Sequence, residues 1–294
     1  MGNSPLQSIR LFSKLVTLSH SIFALPFACI GFCLGIKHAP ATFSVYKLLL
    51  MVSCMITARS AAMAFNRYID RKWDGLNPRT KTRELPSGKL SAGSALGITI
   101  VCSILFIACA CAINTTCFYL APVALAIILG YSYTKRFTAL CHIILGLGLS
   151  LAPIGAYLSL TGIFHWTPLL FSALVLFWVS GFDILYALQD EAFDRSFHLH
   201  SIPVLLGSHK AITLSRILHV CAALLVFVIY QLADFNLFYI LGSMCFVALL
   251  IWQHRIISIH ARERINAVFA LTNGFASLLY GILTCIDILF NYLP

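Results

Sequence analysis

Nine times along its length the chain runs for roughly twenty residues with almost no charge, near 15–36, 45–65, 92–112, 117–134, 139–163, 167–188, 211–232, 236–253 and 266–290. A bilayer core about 30 Å thick is crossed by a helix of about 20 residues. In lipid, only helices and closed barrels satisfy every backbone polar group. The sequence therefore predicts an all-α, polytopic membrane protein with nine transmembrane helices. The fourth to sixth runs are the least cleanly separated, by "NTT" and "GIFHW" alone. Composition agrees: 60% of residues are hydrophobic and 10% charged, against about 25% charged in a soluble domain. No large polar half or long linker interrupts the pattern, which predicts one domain across residues 1–294. The polar, amphipathic start (Arg10, Lys14, His20) argues against a cleavable signal peptide.

Orientation follows from the basic residues, which favour the cytoplasmic side. With the N-terminus inside, 17 of the 20 Lys and Arg fall on cytoplasmic segments. Lys37 and Lys47 fall outside, and Arg59 lies within a span. The net charge of +10 then reflects topology, and no nucleic-acid partner is expected. The 11 cysteines form no CxxC and sit mostly in apolar runs, where Cys behaves as a small hydrophobe. They predict free thiols, not a zinc site or a disulfide framework.

Acids are scarce. Of the ten, six fall in two stretches, Asp70–Asp74 within "NRYIDRKWD" and Asp183–Asp194 within "DILYALQDEAFD". Each stretch ends a predicted span, the second and the sixth, on the cytoplasmic side. Residues four apart on a helix lie about 6 Å apart on one face. Two like charges at about 5.5 Å repel by roughly 3 kcal/mol at an effective dielectric of 20. Solvated helix ends would tolerate one such pair. Two pairs in so acid-poor a chain point to a divalent cation, with Asn66, Asp70, Asp74, Asp190 and Asp194 as oxygen ligands suited to Mg²⁺ and a phosphate-bearing substrate. The basic residues Arg71, Lys72, Arg79, Lys81, Arg83, Lys135 and Arg136 lie on the same membrane face and would neutralise a diphosphate. The turn formers of "NPRTKTRELPSGKLS" predict a cytoplasmic loop, partly a short helix, able to cap the site. Cytoplasmic loops at about 66–91 and 189–210 would carry the two motifs.

Arg59 precedes Asn66 by seven residues and Asp183 precedes Asp190 by seven, so each lies two turns (about 10 Å) deeper on its motif's face. Intramembrane charges are paired or line cavities. Arg59 and Asp183 are expected to face one another or a shared polar cavity, with His20 and Tyr186 as further cavity candidates. Asp287, near the outer end, has no evident role.

"NRYIDRKWDGLNPRTKTRELPSGKLS" together with "FDILYALQDEAFDRSFHLHSIPVLLG" resembles the UbiA superfamily of intramembrane prenyltransferases, and "YSYTKRFT" at Tyr131–Thr138 is similar to a further family segment. The resemblance implies nine helices around a central cavity open to lipid. It also implies Mg²⁺ at the cytoplasmic end and a polyprenyl diphosphate whose tail runs inward. Asp70, Asp74, Asp190 and Asp194 map onto the family's acidic motifs as catalytic and metal-binding residues, and Arg67, Arg71, Arg79, Lys135 and Arg136 would bind the diphosphate. Two positions depart from the pattern: Arg67 replaces an acid, and His198 stands where Gly is expected. The implied reaction alkylates an aromatic quinone precursor of the 4-hydroxybenzoate type, in ubiquinone or menaquinone biosynthesis. "SHSIFALPFA" and the Asn-Arg start look more like the branch acting on an aminofutalosine-type acceptor. Haem farnesylation or chlorophyll prenylation would suit the same cavity. A cation-coupled transporter would instead carry its acids near the midplane between broken helices. The expected location is the inner (plasma) membrane of a bacterial cell, with the site on the cytoplasmic side.

Overall fold

A computed structural model describes residues 23–259 and 265–290, and among these there are no strands. The long helices are α1 (Leu25–His38), α2 (Val45–Leu76), α3 (Ala92–Ile113), α4 (Thr115–Thr134), α5 (Cys141–Thr161) and α6 (Trp166–Ala187). Two short helices follow, α7 (Glu191–Ser196) and α8 (Ile202–Leu206), and then α9 (Ser208–Leu232), α10 (Leu237–Ile259) and α11 (Ile265–Phe290). Among the described residues, eight helices are long and apolar enough to cross a membrane, and α1 is a shorter apolar helix of 14 residues. The first expected span began at residue 15, so its start lies outside the described residues, as does His20.

The two shortest turns hold because polar side chains close them. Asn114 ends α3 and accepts the Cys117 amide at 2.8 Å to start α4, while its Nδ2 donates to the Leu158 carbonyl at 2.8 Å. Gly162 ends α5 at φ 67°, a left-handed cap that glycine adopts without Cβ strain, and Thr116 Oγ1 donates to its carbonyl. Ser44 and Ser91 cap α2 and α3 in the same manner.

Sequential neighbours pack from α2 to α6, then α6 on α9, α10 on α11, and α11 back on α1, which itself lies against α5. Gly31 of α1 sits so close to the Pro153 backbone of α5 that a Cβ there would collide with the Pro153 carbonyl. One half of the bundle is a solid core in which Phe27, Phe171, Trp178, Tyr239, Phe246 and Tyr280 are fully buried. Asp287, unassigned from sequence, supports this half: its carboxylate accepts the Asn236 and Tyr239 amides at 2.9 Å each and so caps α10. The other half, α1–α5, encloses a cavity of about 660 Å³.

Two expectations are corrected. Asn66–Asp74 belong to α2, which continues as helix to Leu76, and not to a loop. Residues 77–91 contain turns and no helix, because their proline and glycine punctuation prevents a continuous i→i−4 ladder.

Candidate active site

Asp70 and Asp74 sit one turn apart on the last stretch of α2, with Asn66 Nδ2 donating to Asp70 Oδ2 at 3.0 Å. The second pair follows α6: Asp190 stands at the start of α7 and Asp194 lies within it, fully buried. The loop after α2 folds across to bind them. Arg79 Nε and Nη2 donate to the two oxygens of Asp190 at 2.9 and 2.5 Å, a bidentate fork, and Nη1 donates to the Tyr186 hydroxyl at 3.1 Å. Asn77 Nδ2 adds a bond to Asp190 at 3.0 Å. Arg83 pairs with Asp74 at 2.7 Å and Lys135 with Asp194 at 2.8 Å. Arg136 lies 3.9 Å from Asp70, stacked over Trp73 and bonded to the Ile69 carbonyl at 2.8 Å. The two acidic motifs, 120 residues apart in sequence, are thus tied into one rim by Asn77, Arg79 and Lys135, whose charge also acts on Asp70 and Asp190.

Electrostatics splits the second pair. Burial would push the Asp190 carboxyl up, but Arg79, Lys135 and Asn77 together hold it below the usual carboxylate range. Burial prevails at Asp194, which lies above that range although Lys135 opposes the shift. Burial likewise disfavours the charged Lys135, yet Asp194 and Asp190 raise it above the ordinary lysine value.

Below the rim, the cavity runs between α2 and α4 from Arg59 and Tyr131 down to Met51 and Cys117. Cys117 and Tyr131 lie fourteen residues apart on α4, which corresponds to about 21 Å of helix. Its walls are almost wholly apolar, and lining residues Leu25, Ile56, Val123 and Phe164 are exposed on the outside of the bundle. Tyr131 connects cavity and rim, feeling the charges of Arg59, Arg67, Asp70 and Asp183.

Other sequence candidates are placed differently. Arg59 lines the cavity with its Nε buried and unbonded. It does not pair with Asp183, because His142, at the start of α5, intervenes: its Nδ1 meets Asp183 Oδ2 at 2.7 Å, and its Nε2 accepts the Ile202 amide at 3.3 Å. Tyr186 belongs to the rim through Arg79 and does not line the cavity. Arg71 turns back on its own helix, over the Tyr68 ring and onto the Tyr68 carbonyl, and meets no acid among the described residues. Arg67 faces Glu84 at 3.9 Å. His198 adopts φ 53°, a left-handed conformation, at the position where the resemblance leads one to expect Gly. Asn77 and His142 had no sequence signal beyond a turn and a lone His. Arg83 was one of several basic loop residues without an assigned partner.

Among the described residues, no three His, Cys, Asp or Glu side chains form a ready metal shell, because the carboxylates are engaged by bases instead. The donor set nevertheless fits a hard cation. All candidate ligands are oxygens, and Asp74 Oδ2 is buried without a hydrogen-bond donor. On the same rim, Arg67 Nε and Arg136 Nε are buried without acceptors. The rim thus lacks partners of both signs.

A helical membrane protein whose charged rim opens onto a deep apolar slot defines a class of intramembrane enzyme that holds an ionic head and an oily tail together. Residues 24–279 match the UbiA prenyltransferase family, and the chain belongs to it. It is 28% identical over 249 residues to the 4-hydroxybenzoate octaprenyltransferase of Aeromonas salmonicida, covering 85% of this chain and 84% of that one. It is 30% identical over 233 residues to the enzyme of the same name from Shewanella woodyi, covering 79% and 80%. Among solved structures, a UbiA homolog from Aeropyrum pernix K1 in its apo form superposes with a TM-score of 0.81 at 29% identity, over 93% of this chain and 98% of that one. A UbiA homolog from Archaeoglobus fulgidus bound to DMAPP and Mg²⁺ shares the fold, with a TM-score of 0.75 at 22% identity over 94% and 98%. The protein is a prenyltransferase of that family.

Proposed function

We propose that the chain, acting as a single domain at the cytoplasmic face of the inner membrane, transfers a polyprenyl group from its diphosphate to a 4-hydroxybenzoate-type aromatic acceptor with Mg²⁺. The observation that carries this reading is the rim of four aspartates and their basic partners directly above an apolar slot. Substrates of that shape appear in the name of the Archaeoglobus complex, and the acceptor appears in the names of the curated relatives.

Asn66, Asp70, Asp74, Asp190 and Asp194 would hold the metal, which when bound supplies positive charge that draws electrons from the leaving diphosphate. Arg79, Arg83, Lys135 and Arg136 would re-pair from carboxylates to phosphate oxygens. The slot between α2 and α4 takes the prenyl tail and keeps water from the allylic carbon as its bond to oxygen breaks. A carbon–carbon bond to the ring replaces that bond, and the ring loses a proton. Arg59, a buried cation facing the slot with no carboxylate partner among the described residues, would receive the acceptor's carboxylate and hold the ring near the reacting carbon. A second reading puts an aminofutalosine-type compound in the acceptor's place, favoured by the Arg67–Glu84 pair where the family motif carries an acid.

The test supplies membranes containing the protein with labelled polyprenyl diphosphate and a panel holding both acceptors, and identifies the product by mass. Prenylated 4-hydroxybenzoate, lost with EDTA and restored by Mg²⁺, is expected. Asp70→Asn and Asp190→Asn should each abolish turnover in folded protein. Near-normal turnover in either variant would end the reading.

A further inference from the structure

The end of the bundle opposite the rim is poor in charge. Among the described residues, the only Lys, Arg, Asp or Glu side chains there are Lys37, Lys47, Asp234 and Asp287. Asp287 is occupied in capping α10, and Lys47 stands on the first turn of α2. The remaining two, Lys37 and Asp234, come from distant parts of the chain and line one pocket of about 200 Å³. Its walls are the end of α1, the start of α6 and the turn between α9 and α10.

Neither charge is matched. Lys37 and Asp234 take part in no ion pair or side-chain hydrogen bond among the described residues, with each other or with anything else. The imidazoles that share the pocket with them are, by contrast, held in place. His38 Nδ1 lies 2.9 Å from the hydroxyl of Tyr157, a fully buried residue. His165 Nδ1 accepts the Thr167 amide at 3.3 Å, which leaves Nε2 of a neutral ring as an N–H donor. The two rings pack edge to face with centroids 4.6 Å apart. A wall fixed in this way loses little freedom when a ligand arrives.

Drug-sized ligands fill pockets of about 300–1,000 Å³, so this smaller volume suits a single polar group. A plain anion on Lys37 would still face the unmatched Asp234, and a plain cation on Asp234 would face Lys37. A group carrying both charges satisfies both. The pocket also opens towards lipid. Trp166, which lines it at the start of a span, is 41% exposed, the placement of an interfacial tryptophan. Leu232, another lining residue, is 57% exposed. A soluble zwitterion would gain nothing from these apolar edges, whereas the acyl chains of a lipid can continue over them.

We propose that this pocket binds the headgroup of a phosphoethanolamine lipid from the leaflet opposite the rim, its phosphate on Lys37 and His165 and its primary ammonium on Asp234. The lipid then bridges α1, α6 and the α9–α10 turn, supplying the link that Lys37 and Asp234 do not make with each other.

The experiment uses the full chain in detergent micelles. Native mass spectrometry reads its affinities for phosphatidylethanolamine, phosphatidylcholine and phosphatidylglycerol with identical acyl chains. The ethanolamine lipid is expected to bind about tenfold more tightly than either of the others, the lower end of what a hydrogen bond to a charged group is worth. Asp234→Asn should abolish that preference, and Lys37→Gln should weaken all three lipids by a similar factor. Lys47→Gln, at the same end but outside the pocket, should change nothing. Equal binding of the three lipids by the unaltered protein would overturn the proposal. So would a preference that survives Asp234→Asn, or one that is lost in Lys47→Gln. Tightest binding of the choline lipid, whose ammonium has no N–H to donate, would overturn it as well. Soluble glycerophosphoethanolamine binding as tightly as the lipid would make the ligand a free zwitterion and overturn the lipid assignment.

Discussion

Replacing Arg79 tests whether the two motifs are held as one rim. Arg79→Gln removes a bidentate fork on Asp190 and a bond to the Tyr186 hydroxyl, leaving Asp190 with the Asn77 hydrogen bond and the charge of Lys135. Breaking a buried ion pair costs about 3–5 kcal/mol. The Arg79 side chain is 28% exposed and that of Asp190 11%, so water recovers part of the loss, and about 3 kcal/mol of destabilisation is expected. Asp190→Asn and the double variant complete a thermodynamic cycle, in which the pair's coupling should be about 2 kcal/mol. The assay is unfolding by SDS in mixed micelles, followed by tryptophan fluorescence. Because Asp190 lies below the usual carboxylate range, its contribution is fully present above the unfolded value of 3.8 and is lost as the pH falls through the lower folded value. The gap between wild type and Arg79→Gln should therefore be full at pH 7 and close as the pH drops below about 4. A coupling under about 0.5 kcal/mol, or a gap independent of pH, would refute the fork as the tie between the motifs.

Arg59→Met should raise KM for a carboxylate-bearing acceptor by about 10- to 100-fold, the worth of a charge-assisted bond, while KM for the prenyl diphosphate stays put; equal rises in both would exclude Arg59 from the acceptor. Gly31→Ala drives a Cβ into the Pro153 backbone and should destabilise the protein by about 2 kcal/mol or more, and unchanged unfolding would contradict the close α1–α5 contact. His198→Gly relieves a left-handed residue and should stabilise by about 1 kcal/mol, with any loss in the same assay counting against strain at that turn.

The spans were legible because hydrophobic length is a local property. Even the two abrupt turns could be located, although only the structure reveals that Asn114 closes α3 and opens α4. The acids could be identified by their scarcity. What no local pattern carries is which base meets which acid, since that depends on how residues 77–91 fold across to α7 and where the α4–α5 corner sets Lys135. Of the two arrangements expected for Arg59 and Asp183, the direct pair is not formed for this reason, since periodicity on α2 and α6 says nothing of His142 on a third helix. Arg59 does line the cavity. Arg71 meets no acid among the described residues because it points roughly 100° around the helix from Asp70 and lies over Tyr68. Asp287 could not be read at all, its partners lying 51 and 48 residues earlier.

That distant cap governs timing during synthesis. The start of α10 stays electrostatically unfinished until Asp287 has left the ribosome, and Gly281, whose face abuts Pro26, must arrive before α11 closes on α1, which until then packs on α5 and α6. The bundle therefore closes late, and a nascent chain halted short of α11 would hold an open, unsealed arc of helices.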